Sequence, residues 1–237
     1  MSYGLNAGFR GSDGVSSHAI TIPTSTALAD LSAGSIWIWQ QVPNVSNSVR
    51  VLVNKSVTKG GWELFRRGTN GSILRFGRYR ATTDLTIDSP ASTIRINVPQ
   101  FFFVSWDIAT SGNCRMYAGD LLTPAAAVSP TVTLGSGAPA TDAAKDILIG
   151  NGASTNGWPG VIWSCGISGR VDYTLDEIRR LQSDLRPSAV RNGAGLWTFD
   201  CIPCPNLLGG GEIGTLTGTG RLSPDCLPRV RRVDMAA

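Results

Sequence analysis

WPGVIWSCGISGRVDYTLDEIRRLQSDL, residues 158–185, runs from a strand directly into a helix. Val161, Trp163 and Ile167 supply the β-forming side chains, and Gly160, Gly166 and Gly169 punctuate them. Thr174 and Glu177 stand in capping-box spacing: the Thr174 hydroxyl accepts from the Glu177 N–H, and the Glu177 carboxylate accepts from the Thr174 N–H. Leu175, Ile178, Leu181 and Leu185 then recur at helical spacing and predict one apolar stripe. Pro187 stops the helix, because a proline cannot donate to the preceding turn and restricts the residue before it. This is the one convincing helix in the sequence; the rest reads as strands and turns.

Working towards the N-terminus, SIWIWQQV (35–42) alternates, with Ile36 and Ile38 on one side and Trp37 and Trp39 on the other. Two apolar faces predict a strand buried on both sides, or one with a Trp-bearing outer face. AITIP (19–23) is a short strand closed by proline, and residues 48–54 alternate Val49, Val51 and Val53. GGWELFRR (60–67) and SILRFGRYR (72–80) flank GTNG, a hairpin signal because Asn and Gly tolerate positive φ. Further strands are predicted at 92–98, 101–108 and 114–118, the last two joined by TSGN, and then at 128–134, 146–150 and 195–200. Roughly eleven to thirteen strands with one helix point to a two-sheet sandwich of jelly-roll type. After Asp200 the texture changes to CIPCPNLLGGGEIGTLTGTGRLSPDCLPRVRRVDMAA, dense in Gly and Pro, with a hairpin expected at 214–221. We expect one domain over 1–200 and an extended C-terminal arm over 201–237.

Hydrophobic residues make up 42% and charged residues 16% of 237, so the chain can bury a core and is not a disordered tail. The densest apolar run, residues 101–104, is too short to span a bilayer, so no membrane insertion is expected. MSYGLNAGFRGSDG lacks the basic and apolar regions of a secretory signal, which leaves either a chain made without export or a leader missing from this sequence. The net charge of +4 gathers in Arg66, Arg67, Arg75, Arg78 and Arg80 and again in Arg229, Arg231 and Arg232. These clusters read as contacts for an acidic partner or as solvated hairpin edges and a basic tail; no nucleic-acid-binding motif accompanies them, so nucleic acid is not the expected partner.

The order of these segments resembles the laminin-G-like, concanavalin A-like jelly-roll superfamily. The resemblance lies in SIWIWQQV, then GGWELFRR with ILRFGRY, then FFFVSWDIATSGNCRMYAGD, then DILIGN, and finally residues 158–181. Trp106-Asp107, the Ser111-Gly112 turn, Arg115-Met116-Tyr117-Ala118-Gly119 and Ile147-Leu148-Ile149-Gly150 match the family's sequence of motifs. It covers residues 8–200. One departure is that Ser164-Cys165 stand where the family usually has Asp-Glu before the helix. The resemblance implies an all-β, two-sheet antiparallel jelly roll; members include glycan-binding modules, adhesion domains, glycosidases and structural domains of viral particles, so it implies no single activity.

The chemistry-bearing residues narrow the choice. A glycosidase needs two carboxylates flanking the scissile bond, and the family's E-x-D-x-x-E strand has no counterpart. Asp84 with Asp88 reads as turn formation, and Asp176 with Glu177 as helix capping. His18 is the lone histidine, so a Ser-His-Asp apparatus has no reserve and a histidine-rich metal site is impossible. Cys201 and Cys204 form C-I-P-C with Cys226 downstream; a zinc site would want a fourth ligand, while a disulfide anchoring the arm and simple reduced thiols both stay open. Calcium is common at the rim of this fold, yet Asp13, Asp142 and Asp146 show no ligand spacing, so no metal or other cofactor is assigned. For glycan binding, Trp158 in NGWPG, then Trp62 and Tyr79, are the stacking candidates, with Asn156 as a hydrogen-bonding partner. Packing is the competing reading for Trp158. Trp37, Trp106, Trp163 and Trp197 are expected in the core.

No catalytic residue is therefore assigned, and the expected function is non-enzymatic. The leading expectation is a structural or adhesive protein on a virus-particle surface (a phage capsid decoration or tail-associated protein made in the host cytoplasm). It would bind neighbouring subunits or further copies of itself, and host cell-surface glycans. The alternative is a stand-alone, lectin-like carbohydrate-binding module; a glycoside hydrolase comes third.

Overall fold

The alternation in residues 35–42 becomes the central strand of a sheet with two apolar faces. A computed structural model describes residues 8–10, 19–43, 50–55, 60–67, 72–150, 157–183, 193–198, 204–205, 213–217 and 221–223. Its strands are β1 (Gly8–Arg10), β2 (Ala19–Ile22), β3 (Ala33–Gln41), β4 (Arg50–Asn54), β5 (Trp62–Arg66), β6 (Leu74–Arg78), β7 (Leu85–Asp88), β8 (Gln100–Asp107) and β9 (Arg115–Asp120). They continue as β10 (Ala126–Val128), β11 (Thr131–Thr133), β12 (Ile147–Ile149), β13 (Val161–Ser168), β14 (Gly193–Thr198), β15 (Cys204–Pro205), β16 (Ile213–Thr217) and β17 (Arg221–Ser223). The helix α1 spans Leu175–Ser183.

Two antiparallel sheets result. One runs β10-β9-β8-β3-β13-β1-β17, with β14 also on β13; the other runs β11-β7-β6-β5-β4-β12-β2-β16-β15. Register sets which residues face the interior, because directly opposed residues share a face. Ile36 pairs Val104 and Ile38 pairs Phe102 on the inner face of the first sheet. They meet Ile20, Ile22, Val53, Leu64, Phe76, Ile87, Ile147 and Ile149 of the second. Across the gap Phe76 stacks on Trp106 with centroids 4.7 Å apart, and Trp62 lies 5.8 Å from Trp106. The interior is thus closed by aromatic rings from both sheets, an arrangement worth more than its buried area alone.

The outer face of the first sheet is apolar too, and α1 covers it. Trp37 pairs Phe103 and Trp39 pairs Phe101, and these pack with Tyr117, Val161, Trp163, Tyr173, Ile178 and Leu181 in a second core. The Trp39 Nε1–H donates to the Gln182 carbonyl at 3.0 Å. Gly166, opposite Trp37, has no room for a side chain: a Cβ there would lie 2.1 Å from the indole. The helix starts as its sequence predicts, with the Thr174 N–H donating to Glu177 at 2.8 Å and the Glu177 N–H donating to the Thr174 hydroxyl at 3.2 Å. Leu175 departs from the expected stripe and stays 38% exposed. Gln182 is buried in its turn, donating to the carbonyls of Asp120 and Thr123 and accepting from the Ala125 N–H. Leu185 lies outside the described residues.

Three expected strands are corrected. Residues 92–98 form a loop with one parallel bridge from Ile96 to Val42, because Ser92 and Asn97 take positive φ (64° and 56°), which no strand sustains. Residues 128–134 split into β10 and β11, which belong to different sheets, so the chain crosses from one sheet to the other at Ser129-Pro130. The hairpin expected at 214–221 does not form: β16 pairs β2 in one sheet and β17 pairs β1 in the other. Where it is described, the segment after Asp200 therefore extends both sheets and does not stand apart as an arm.

Candidate functional site

With α1 over one outer sheet face, the outer face of the other sheet is covered by no helix among the described residues. Strand alternation builds it: Trp62, Leu64 and Arg66 point inward, so Glu63 and Phe65 point out, and Arg75, Gly77 and Tyr79 do the same along β6. Pairing aligns them into rows. Thr21, Leu148, Asn54, Glu63, Gly77, Thr86 and Thr133 lie opposite one another in succession across seven strands. A parallel row holds Phe65, Arg75, Asp88 and Thr131. Glu63, Phe65, Gly77, Tyr79 and Thr86 are all half-buried.

Electrostatics divide this face into two units. The Tyr79 hydroxyl donates to Glu63 Oε1 at 3.1 Å. Burial raises the Glu63 pKa above the ordinary carboxylate value, partly offset by that hydrogen bond. The Tyr79 phenol is pushed well up by burial and then by the neighbouring Glu63 charge, so it stays a donor. In the second unit Asp88 accepts from Arg75 Nε and a terminal nitrogen, both at 2.5 Å, a bidentate pair, and Arg67 approaches the same carboxylate at 3.4 Å.

The expected stacking tryptophans are corrected by their burial. Trp62 is fully buried among Phe76 and Trp106. Trp158 is fully buried as well: its Nε1–H donates to the Gln41 carbonyl at 3.3 Å and the Arg66 guanidinium lies 5.9 Å from its ring centre. Neither ring offers a free face to a sugar; packing is the reading that holds for Trp158. Trp37, Trp106, Trp163 and Trp197 are core residues as expected. Tyr79 alone of the three candidates stands on the open face. Asn156, His18, Asp13, Cys201 and Cys226 lie outside the described residues, and of Cys204 only the backbone, in β15, is described.

The hairpin arginines are largely committed within the fold, although Arg67 keeps a 43% exposed side chain; Arg229, Arg231 and Arg232 lie outside the described residues. Arg66 and Arg78 are buried, Arg67 and Arg75 engage Asp88, and Arg80 donates to the carbonyls of Gly137 and Ile108. At one end of the interior, Asp142 accepts from Lys55 Nζ and from Arg78, each at 2.7 Å, with all three side chains at most 1% exposed. Asp142 also accepts from the Asp30 N–H, and the Asp142 N–H donates to Asp30 Oδ1, both at 2.7 Å. Asp142 is thus committed to two cations, while Asp146 accepts from the Thr24 N–H. Among the described residues no three Asp, Glu, His or Cys side chains come together as a metal site. Asp84 accepts from the Arg80 N–H in a turn, as expected, but Asp88 sits in β7 and forms ion pairs. No helix of the described residues is long and apolar enough to cross a membrane.

Comparison with solved structures fixes the architecture. A putative carbohydrate-binding protein from Bacteroides ovatus superposes with TM-score 0.61 at 11% identity, over 97% of this chain and 63% of that one. A heptameric SAP-like pentraxin from Limulus polyphemus superposes with TM-score 0.53 at 12% identity, over 94% and 96%. The fold is the concanavalin A-like jelly roll. Domains LG4-5 of the mouse laminin α1 chain also match, at TM-score 0.47, 11% identity and 72% of this chain against 44% of that one. No family model matches the sequence, and no curated protein matches it. This chain spans about two thirds of the Bacteroides protein's length. Within the jelly roll, this outer face holds Glu63, Phe65, Arg75, Gly77 and Asp88; the sequence reading weighed Arg75 only as part of a basic cluster and Asp88 only as a turn former, and passed over Glu63, Phe65 and Gly77. The signal was present as the out-pointing register of WELFR against LRFGR, which becomes meaningful only once the other face is known to be interior.

Proposed function

We propose that this chain is a carbohydrate-binding module that holds glycan on the outer face of the sheet containing β5, β6 and β7. The observation that carries this reading is the half-buried Tyr79–Glu63 pair beside Phe65 on a face that no helix of the described residues covers. A sugar needs hydroxyl acceptors and donors beside an apolar ring surface, and this face supplies both. The Bacteroides structure, described as a putative carbohydrate-binding protein, lends support at the level of fold. The lectin-like alternative is thus preferred to the virus-particle role, for which neither the site nor the compared proteins offer support.

We also read the chain as non-catalytic. Hydrolysis of a glycosidic bond needs one carboxyl as acid and a second as nucleophile or base. On this face Glu63 has Tyr79 for a partner, and Asp88 is held in a bidentate pair by Arg75. Screening wild type and Tyr79→Ala on a glycan array tests the reading. Wild type binds at least one glycan, and Tyr79→Ala loses at least about tenfold in affinity for it, equivalent to about 1.4 kcal/mol. Equal binding by the two proteins contradicts it.

A further inference from the structure

Gly77 is a strand glycine that packing does not require. Gly34, Gly119 and Gly166 are also in strands, but an added Cβ would come to 2.6 Å, 2.6 Å and 2.1 Å of a neighbouring atom. At Gly77 the nearest atom is Phe65 Cε1 at 3.8 Å, an ordinary contact, and the backbone is not left-handed. Glycine in a strand interior is destabilising relative to alanine, because it loses more backbone freedom on folding. The β5–β6–β7 register runs unbroken through Gly77, so it is not a bulge, and with no packing reason among the described residues the remaining use of a strand glycine is close approach by a ligand or another backbone. Gly77 lies midway along the open face, opposite Glu63 on β5 and Thr86 on β7, with Tyr79 two residues further along its own strand.

The charge on the face limits what can lie there. Among the described residues two guanidinium groups, Arg67 and Arg75, share it with the carboxylates Glu63 and Asp88, and a third carboxylate, Asp84, acts on Tyr79, so there is no excess of positive charge. Arg75 spends its fork on Asp88, and Arg67, 43% exposed and touching that carboxylate only at 3.4 Å, stands four residues along the chain from Glu63, the residue that faces Gly77. Glu63 beside Gly77 repels anions and accepts from hydroxyls. Phe65 supplies the apolar wall.

We propose that the notch over Gly77 is a sugar subsite and that its occupant is an uncharged pyranose ring of a glycan, seated on the Gly77 backbone between Glu63, Phe65, Thr86 and Tyr79. This rests on the glycan-binding reading of the face. The ring's hydroxyls donate to Glu63 and its apolar side meets Phe65. A side chain at position 77 fills the notch without disturbing the fold.

Affinity electrophoresis of wild type, Gly77→Leu and Tyr79→Ala tests this, with hydroxyethylcellulose, galactomannan and laminarin as neutral probes and polygalacturonate and hyaluronate as acidic ones. The expected result is retardation of wild type in at least one neutral gel and in neither acidic gel. Gly77→Leu weakens it at least about tenfold while its thermal unfolding matches wild type. If Gly77→Leu does not fold, Thr86→Leu fills the same notch from the neighbouring strand and carries the same expectation. Retardation lost in Tyr79→Ala but kept in the notch-filling variant overturns the subsite and leaves the face. Retardation in acidic gels alone overturns the uncharged class. Retardation unchanged in every variant, or absent in every gel, overturns the subsite together with the glycan-binding reading.

Discussion

Glu177 shows how one side chain serves two structural duties. It caps α1 through the Thr174 N–H and pairs with Arg170 at 2.7 Å. The Arg170 guanidinium first, and the Thr174 N–H second, hold its pKa down to about 2 against an ordinary 4.5. A depressed carboxylate stabilises the fold above its unfolded pKa, and that contribution is lost as pH falls through the folded one. Glu177→Ala should therefore cost about 1 kcal/mol near neutral pH. The gap from wild type should close as pH drops from 4.5 towards 2, followed by thermal unfolding with circular dichroism. A gap independent of pH would mean the carboxylate charge does not matter. The capping box was legible because both of its hydrogen bonds are local. The fate of Trp62, Trp158 and Tyr79 was not, because an aromatic on a strand is core or surface according to what covers its face.

At the scale of elements, strand alternation carried the most information. SIWIWQQV implied two buried faces, and β3 has them, one against the second sheet and one beneath α1. The same alternation places Arg66 and Arg78 inside, against the expectation that clustered arginines are solvated. Long-range partners make this tolerable: Asp142, 64 residues beyond Arg78, pairs with it and with Lys55, and Asp30 adds a second carboxylate that acts on both cations. No local pattern announces such a partner. The network joins β4, β6 and the loops around Asp30 and Asp142, so removing its centre strands two buried cations. Asp142→Ala should destabilise by about 3–5 kcal/mol in chemical denaturation, far beyond an exposed ion pair. A loss under about 1 kcal/mol would show that the pair is solvated in solution.

For the molecule as a whole, the decisive asymmetry is between two outer sheet faces, one sealed by α1 and one open. The jelly roll was legible from the order of strand and helix motifs between residues 8 and 200. The contribution of the described strands after Asp200 was not, since β16 and β17 are short and paired with strands near the opposite terminus. Ending the chain at Asp200 should leave β2 unpaired along one edge, lower the unfolding temperature and promote association through that edge. Thermal unfolding with size-exclusion chromatography checks this, and an unchanged unfolding temperature and elution volume would show that the segment is dispensable. Glycan bound on the outer face of β5, β6 and β7 should perturb the backbone there. Titrating the 15N-labelled chain with a neutral glycan that it binds, and mapping the amide shifts, measures this. Changes centred on Glu63, Gly77, Tyr79 and Thr86 are predicted. Changes confined to α1 or to the surroundings of Trp158, with those four amides unmoved, would contradict it.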